Sequence, residues 1–432
     1  MKLAVLGTLL LAASEACAAT TATPATTFLS SLGIVIHVDQ GYDAANYVPM
    51  LRFTGIRAVR DGHRNLPGLL MLHQKTGAVM NLVTGCDVAA TLTAARTLAR
   101  AEALLAVEGP NEPNNWPIVF NGQQGGGTGS WAAVAACQAA LYAGVKGDPT
   151  LRNYPVFHVS EGGAEQDNVG LQFLTVPQGA GTTSAAPAGT KFADYANTHN
   201  YVTGHVGRYV ANMPWSAADP TLNGPWDGLY GEYGRTWLKG FAGYSNAELE
   251  SLPRVSTETG WDSVNDEGGE VVQGKVLSNV YLAQFARAWR YTFIYEMVDE
   301  EGSTGFQGLY RTDGSAKPAA KFIHNLTTIL GDEGKPRSPG SLNYSIPNQP
   351  ATVHDLLLQK SDGTFELIVW GEQVLGSNDI TVQLGATFAT VKVYDITVGT
   401  EAQQTFTQVA SVPLSISDHA LIIELSKPSP SK

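Results

Sequence analysis

Two glutamates of this 432-residue chain stand at the ends of short apolar runs. Glu112 follows the run Leu105–Glu108 within Val107-Glu108-Gly109-Pro110-Asn111-Glu112-Pro113-Asn114, and Glu258 closes Val255–Glu258 within Ser256-Thr257-Glu258-Thr259-Gly260-Trp261. A pair of carboxylates held on rigid strand ends suits cleavage of a glycosidic bond. One carboxylic acid protonates the leaving oxygen while the other carboxylate attacks carbon or activates water. The two need different pKa values, and therefore different neighbours. Asn111 can hydrogen-bond a sugar hydroxyl beside Glu112. Tyr201, in His199-Asn200-Tyr201, can orient Glu258, and its phenol would keep that carboxylate ionised.

Other polar and aromatic residues fall at comparable places. Arg60 ends the run Gly55–Arg60, His37 and Asp39 close Gly33–Val38, and Tyr295 and Glu296 close Thr292–Glu296. Trp116 lies directly after the Asn111–Asn114 loop and Trp261 directly after Glu258, so either can wall a sugar subsite. Plainer readings stand beside these. His199 also fits a structural histidine and Arg60 a brace at the barrel mouth, while Glu161 or Glu296 also fits a buried carboxylate paired with an arginine. Trp215, Trp226, Tyr230, Tyr233 and Trp237 suit either a sugar cleft or the small core of a long excursion.

Residues so far apart in sequence need a scaffold that collects strand ends. Apolar runs alternate with helical periods from Leu32 to about Gly331, giving eight strand-then-helix units, the repeat of a (β/α)8 barrel. The competing doubly wound sheet would often carry a G-x-G-x-x-G turn after its first strand, and here Asp39-Gln40-Gly41 follows instead. After Pro336 the pattern changes to alternating runs at Thr352–Leu358, Phe365–Trp370, Ile380–Leu384, Thr390–Tyr394 and Ala420–Leu425, without helical periods. The expected organisation is a leader over residues 1–19, an α/β catalytic barrel over 20–335, and an all-β sandwich over 336–432.

With those elements in place, the segments around Glu112, His199-Asn200-Tyr201 and Glu258 resemble the clan A glycoside hydrolases. The barrel followed by a β-sandwich resembles families thirty and thirty-nine of that clan, as does the stretch Gly308–Gly314 ending in Lys317-Pro318-Ala319. The resemblance implies a retaining double displacement with Glu112 as acid/base and Glu258 as nucleophile. It also implies Asn111 as partner of the sugar 2-hydroxyl, matches His199 and Tyr201 to the strand-six pair and Arg60 to the strand-two arginine, and requires no cofactor. Many clan members floor the first subsite with a Trp after strand eight. Here that strand reads Phe293-Ile294-Tyr295-Glu296-Met297, so Tyr295 or Trp261 would take that place.

Composition narrows the partners. Twenty-seven basic and 39 acidic residues give a net charge of −12. Without a basic stripe the chain lacks the electrostatic footprint of a nucleic-acid binder and is left with neutral or cationic ligands, among which the carboxylate pair and the resemblance imply a carbohydrate. Lys2, the apolar stretch Leu3–Ala13 and Ala16-Cys17-Ala18 form a signal-peptide pattern, implying a secreted or periplasmic protein. Ser14-Glu15-Ala16 lacks the aliphatic residue of a lipobox. No later run is long enough for membrane insertion. Cleavage removes Cys17 and leaves Cys86 and Cys137, which an oxidising compartment permits to pair, with two separate buried thiols as the default expectation. Neither metal-ligand spacing, nor a G-x-S-x-G elbow, nor a phosphate-binding Lys after Gly122–Gly129 is present, so no metal site is expected. A transglycosylase using the same carboxylates and a non-catalytic carbohydrate-binding barrel remain alternatives, and the sequence sets no oligomeric state.

Overall fold

The computed structural model describes residues 19–127, 129–160, 192–201, 253–265, 268–300, 302, 305–334, 338–373 and 376–426. Eight parallel strands form one sheet: β1 Leu32–Val35, β2 Ala58–Asp61, β3 Val79–Thr84, β4 Leu104–Pro110, β5 Val156–Phe157, β6 Ala196–His199, β7 Arg254–Thr259 and β8 Trp289–Ile294. Their order is β6-β7-β8-β1-β2-β3-β4-β5. A Phe157–Tyr195 bridge and the His158 N to Tyr195 O hydrogen bond (3.0 Å) join the two ends, closing the (β/α)8 barrel. The leader lies outside the described residues except for Ala19. Glu161 and the aromatic residues between 215 and 237 lie outside them as well.

Local chemistry fixes the helix ends. Helices α1 (Ala44–Thr54), α2 (Leu66–Thr76) and α3 (Val88–Arg100) begin where Asp43, Asn65 and Asp87 accept a hydrogen bond from a first-turn backbone N–H. The first two end on Gly55 and Gly77 in left-handed geometry. Helices α4 (Ala132–Gly147), α5 (Gly269–Ala286) and α6 (Pro318–Ile329) also pack around the barrel, and a short helix, Ala25–Ser31, leads into β1.

Inside the barrel, Val35, Ala58, Ala106, Phe157, Val255 and Phe293 form an apolar layer. Strand side chains alternate, so the residue two positions on faces inward again. That next layer contains His37, Arg60, Glu108, Thr257 and Tyr295 and is polar. The sequence thus builds an apolar floor with a hydrogen-bonding storey above it.

The C-terminal strands are β9 Val353–Gln359, β10 Phe365–Gly371, β11 Asn378–Asp395, β12 Gln404–Ile416 and β13 Ala420–Leu425, in the order β12-β11-β13-β10-β9. Two differences from the sequence reading have physical causes. The runs Ile380–Leu384 and Thr390–Tyr394 belong to one 18-residue strand, bent where its register shifts between Gln383 and Phe388. Gly385, with φ +67°, lies in that bend, where an added Cβ would meet the Asn343 carbonyl oxygen at 2.1 Å. Strand β12 shows no apolar run in the sequence because it is an edge strand, largely exposed, and carries Pro413, which an edge tolerates. In addition, residues 20–24, assigned with the barrel from sequence, pair with the C-terminal part: Thr20–Thr21 with Ser341–Leu342, and Thr23–Pro24 with β9.

The two faces of the β-module have different partners. Leu358, Ile368, Trp370, Tyr394 and Ile422 join the main core with the barrel helices, whereas Leu357, Leu367, Val369, Val393 and Ile423 line the module's own core. Lys275 and Asp418 add an ion pair across this seam at 2.9 Å. Among the described residues no helix is long and apolar enough to cross a membrane.

Candidate active site

Glu112 and Glu258 rise from opposite sides of the barrel mouth, and backbone irregularities aim both of them. The β6–β7 register skips Thr257: Thr198 pairs with Ser256, and His199 with Glu258. This bulge turns both Thr257 and Glu258 inward, where strict alternation would allow only one. On β4, the register skips Gly109 between Glu108 and Pro110. A Cβ there would meet Gln138 Oε1 at 1.9 Å and the Val159 backbone nitrogen at 2.7 Å, so only glycine permits the approach. Glu112 itself has φ +39°, a left-handed backbone unusual for glutamate. Its carbonyl holds the following turn by accepting from the N–H groups of Asn115 (2.9 Å) and Trp116 (2.8 Å).

A carboxylate oxygen from each glutamate and a His199 ring nitrogen all lie within 4.8 Å of one another. The surroundings of the two carboxylates differ. Glu258 accepts from Arg60 Nη1 (2.5 Å) and from the Tyr201 hydroxyl (2.7 Å). Glu112 faces His199 Nδ1 at 2.6 Å and accepts from Asn115 Nδ2 at 2.9 Å. Burial alone would raise the Glu112 carboxyl, but the His199 hydrogen bond and charge, helped by Asn115 and Arg60, bring it below its ordinary value. Tyr201 is pushed well above the usual phenol range, first by burial and then by Glu258 and Glu112, so it remains a donor.

Sequence reasoning missed what lies beneath this pair. Glu108 is fully buried and binds Arg60 through both oxygens, Oε2 to Nε and Oε1 to Nη2, each at 2.9 Å. Asn81, Asn197 and Thr257 also donate to it. Arg60 is thereby held charged: burial opposes the guanidinium, but Glu108 and Glu258 outweigh that cost. Its Nη2 also reaches Asn111 Oδ1 at 2.7 Å, so Arg60 links Glu258, Asn111 and Glu108. One signal was available, because a glutamate inside the buried run Leu104–Pro110 must find partners.

His37 and Glu296 form a second group beside the first. His37 Nδ1 lies 3.1 Å from Glu296 and 3.3 Å from Glu300. Burial drives the Glu296 carboxyl up to about 7, against the pull of His37. Asp39 faces Asp61, whose carboxyl is raised to about 8, chiefly by burial and then by the Asp39 charge. The Tyr295 ring lies 5.5 Å from His37 and 6.3 Å from Tyr201, which puts it between the two groups. Trp261 is only 4% exposed and packs with the apolar core. Trp116 is 67% exposed. Glu112–His199–Glu258 and His37–Glu296–Glu300 each bring three donor atoms near one another. In the first, the Arg60 guanidinium already occupies Glu258 and opposes a second cation there.

The cysteines correct another expectation. Cys86 and Cys137 are not separate thiols but a disulfide, with Cα atoms 5.8 Å apart. Cys86 follows β3 with φ +67°, which turns it toward the buried face of α4 that carries Cys137. The bond ties the β3 loop to the helix that follows the Glu112 loop.

No protein-family model matches the sequence, and no curated protein resembles it by sequence. The fold has solved counterparts. The chain is similar to a family 39 glycoside hydrolase from the gut symbiont Bacteroides cellulosilyticus WH2, with a TM-score of 0.61 and 15% identity over 94% of this chain and 81% of that one. It is also similar to a family 30 subfamily 8 xylanase from Clostridium acetobutylicum, with a TM-score of 0.54 and 10% identity over 95% and 98% of the two chains. A family 51 arabinofuranosidase from Xanthomonas axonopodis pv. citri gives 0.53 and 12% over 96% and 98%. The chain shares the fold of clan A glycoside hydrolases. At these identities the likeness speaks for the barrel and its appended β-sandwich, and the chemistry is argued from the site's own geometry.

Proposed function

We propose that the protein is a retaining glycoside hydrolase acting outside the cytoplasm, with Glu258 as nucleophile and Glu112 as acid/base. The observation that carries this reading is the short separation of the two carboxylates, with oxygens within 4.8 Å. Retaining enzymes hold their carboxyl groups about 5–5.5 Å apart, and inverting enzymes about 6.5–9.5 Å, leaving room for a water between.

The geometry divides the labour. Arg60 and Tyr201 hold Glu258 in place by donating one hydrogen bond to each of its carboxylate oxygens. In the first displacement Glu258 forms a bond to the anomeric carbon, the bond to the leaving oxygen breaks, and that oxygen takes a proton from the Glu112 side. In the second, Glu112 takes a proton from water as the water oxygen attacks the same carbon and releases Glu258. Asn111, held by Arg60, presents its amide near the sugar, and Glu296, His37 and Tyr295 offer hydrogen-bonding groups to further hydroxyls. The substrate class is a poly- or oligosaccharide. The solved neighbours include a xylanase and an arabinofuranosidase, which supports a neutral sugar without selecting one. The leader pattern supports secretion.

A 2-deoxy-2-fluoro glycoside with a good leaving group tests the assignment. It should inactivate the enzyme and add one sugar mass to the peptide carrying Glu258. Glu258→Ala should abolish turnover while the protein stays folded. A label on any other residue, or turnover surviving in Glu258→Ala, overturns the reading.

A further inference from the structure

The hydrogen-bond chain from Glu108 through Thr257 to His199 has a direction. Thr257 Oγ1 touches three groups: Glu108 Oε1 at 2.9 Å, Asn197 Oδ1 at 2.9 Å and His199 Nε2 at 3.0 Å. A hydroxyl has one proton to give. Glu108, whose two oxygens already receive Arg60, Asn81 and Asn197, only accepts. The Asn197 amide nitrogen points to the His158 carbonyl (3.0 Å) and to Glu108, so its oxygen also can only accept. If Thr257 gave its proton to His199, both acceptors would face bare lone pairs at 2.9 Å inside a buried layer. Thr257 therefore donates to Glu108 or Asn197 and accepts from His199, which places a proton on Nε2.

The other ring nitrogen then meets a second constraint. Nδ1 lies 2.6 Å from Glu112 Oε1 and 3.4 Å from Glu258 Oε2. A bare Nδ1 against an ionised Glu112 would oppose two lone pairs at the hydrogen-bond distance of the resting structure, so in the resting enzyme one proton lies between them. The ionisable groups facing this pair among the described residues are Arg60 from β2, Glu108 from β4, Tyr201 beyond β6 and Glu258 from β7. Arg60 is cationic and Tyr201 a neutral donor, and both are occupied with Glu258.

We propose that Glu108 and Thr257 are positioning residues that fix the tautomer of His199, so that His199 and Glu112 together store the one proton that the leaving group receives. This rests on Glu112 being the acid/base. In the resting pair the proton is shared between Nδ1 and Oε1. As Glu258 bonds to the anomeric carbon, the leaving oxygen keeps the electron pair of the broken bond and takes this proton, leaving neutral Nε2–H imidazole beside ionised Glu112. Hydrolysis of the glycosyl–enzyme returns a proton from water to the same place. The opposite tautomer, Nδ1–H donating to an ionised Glu112, would store no transferable proton.

Two measurements test this, one of which needs no substrate. In protein labelled with 15N-histidine, the His199 signals, identified by their loss in His199→Gln, should show a proton bonded to Nε2 at neutral pH. An unprotonated Nε2 with the proton on Nδ1 would overturn the proposal. In the kinetic arm, Thr257→Val removes the acceptor of Nε2–H and Thr257→Ser retains it. Thr257→Val should slow cleavage of a methyl glycoside, whose leaving group needs a proton, by about 100-fold or more, the ordinary worth of general acid catalysis. It should leave a 2,4-dinitrophenyl glycoside, which needs none, nearly unchanged, and Thr257→Ser should resemble the native enzyme on both. Equal losses on the two substrates would reduce Thr257 to a packing role and overturn the proposal. An Nε2–H signal in a protein that cleaves neither glycoside would instead sink the hydrolase reading.

Discussion

Glu108 grips Arg60 through both carboxylate oxygens, at 2.9 Å each, while the same guanidinium reaches on to Glu258. The nucleophile is thus oriented by a charge that is itself anchored one layer below. Glu108→Gln should be costly, because an amide offers Arg60 one acceptor and turns a donor toward Asn81, Thr257 or Arg60. Breaking a buried pair in this way costs about 3–5 kcal/mol, and chemical denaturation would measure it. Turnover should fall with it, because Asn111 and Glu258 both lose their fixed partner.

Glu296 is expected to trade stability for function. Burial raises its carboxyl to about 7, so the folded chain holds a proton that the unfolded chain releases near 4.5. Its contribution is greatest below the unfolded value and falls as pH rises from about 4.5 to 7. Glu296→Gln should therefore melt higher than the native protein at pH 8, by about 1–3 kcal/mol, with little difference at pH 4. Activity should fall at both pH values if the carboxylate meets a sugar hydroxyl.

The disulfide closes a segment with a sequence separation of 51. Cys86→Ser combined with Cys137→Ser should cost about 2–4 kcal/mol, read as a lower melting temperature, mainly by freeing the unfolded chain. The turnover of the folded fraction should change little, because neither sulfur touches Glu112 or Glu258. A loss of turnover exceeding the loss of folded protein would mean that the β3 loop reaches the substrate.

His419 lies between Asp395 (3.3 Å) and Asp418 (3.0 Å), next to the Lys275 ion pair that joins barrel and β-module. Burial lowers its pKa, but the two carboxylates outweigh burial and raise it to about 9. The stabilisation is fully present below the unfolded value near 6.5 and is lost as pH rises to about 9. His419→Gln should be less stable than the native protein at pH 6, by on the order of 2 kcal/mol, with the gap closing by pH 10. Thermal melts across that range would show it.

The sequence alone revealed the barrel repeat, the two glutamates at strand ends and the neighbours His199, Tyr201 and Asn111, because each has a local mark. Apolar runs have a period, and a polar residue at the end of a run lies at the barrel mouth. The tertiary structure alone decided the remainder. Arg60 could serve substrate or brace the mouth until its distances to Glu258 and Glu108 showed that it does the bracing. Trp261 reads as a sugar platform from its place after Glu258 but is buried in the core. Cys86 and Cys137 carry no mark of partnership, since a disulfide depends on two Cα atoms meeting in space. The bulges at Thr257 and Gly109 arise from register between strands, which no single strand's sequence contains. Those bulges bring Thr257 and Glu258 inward together and so place Glu108 beneath both carboxylates.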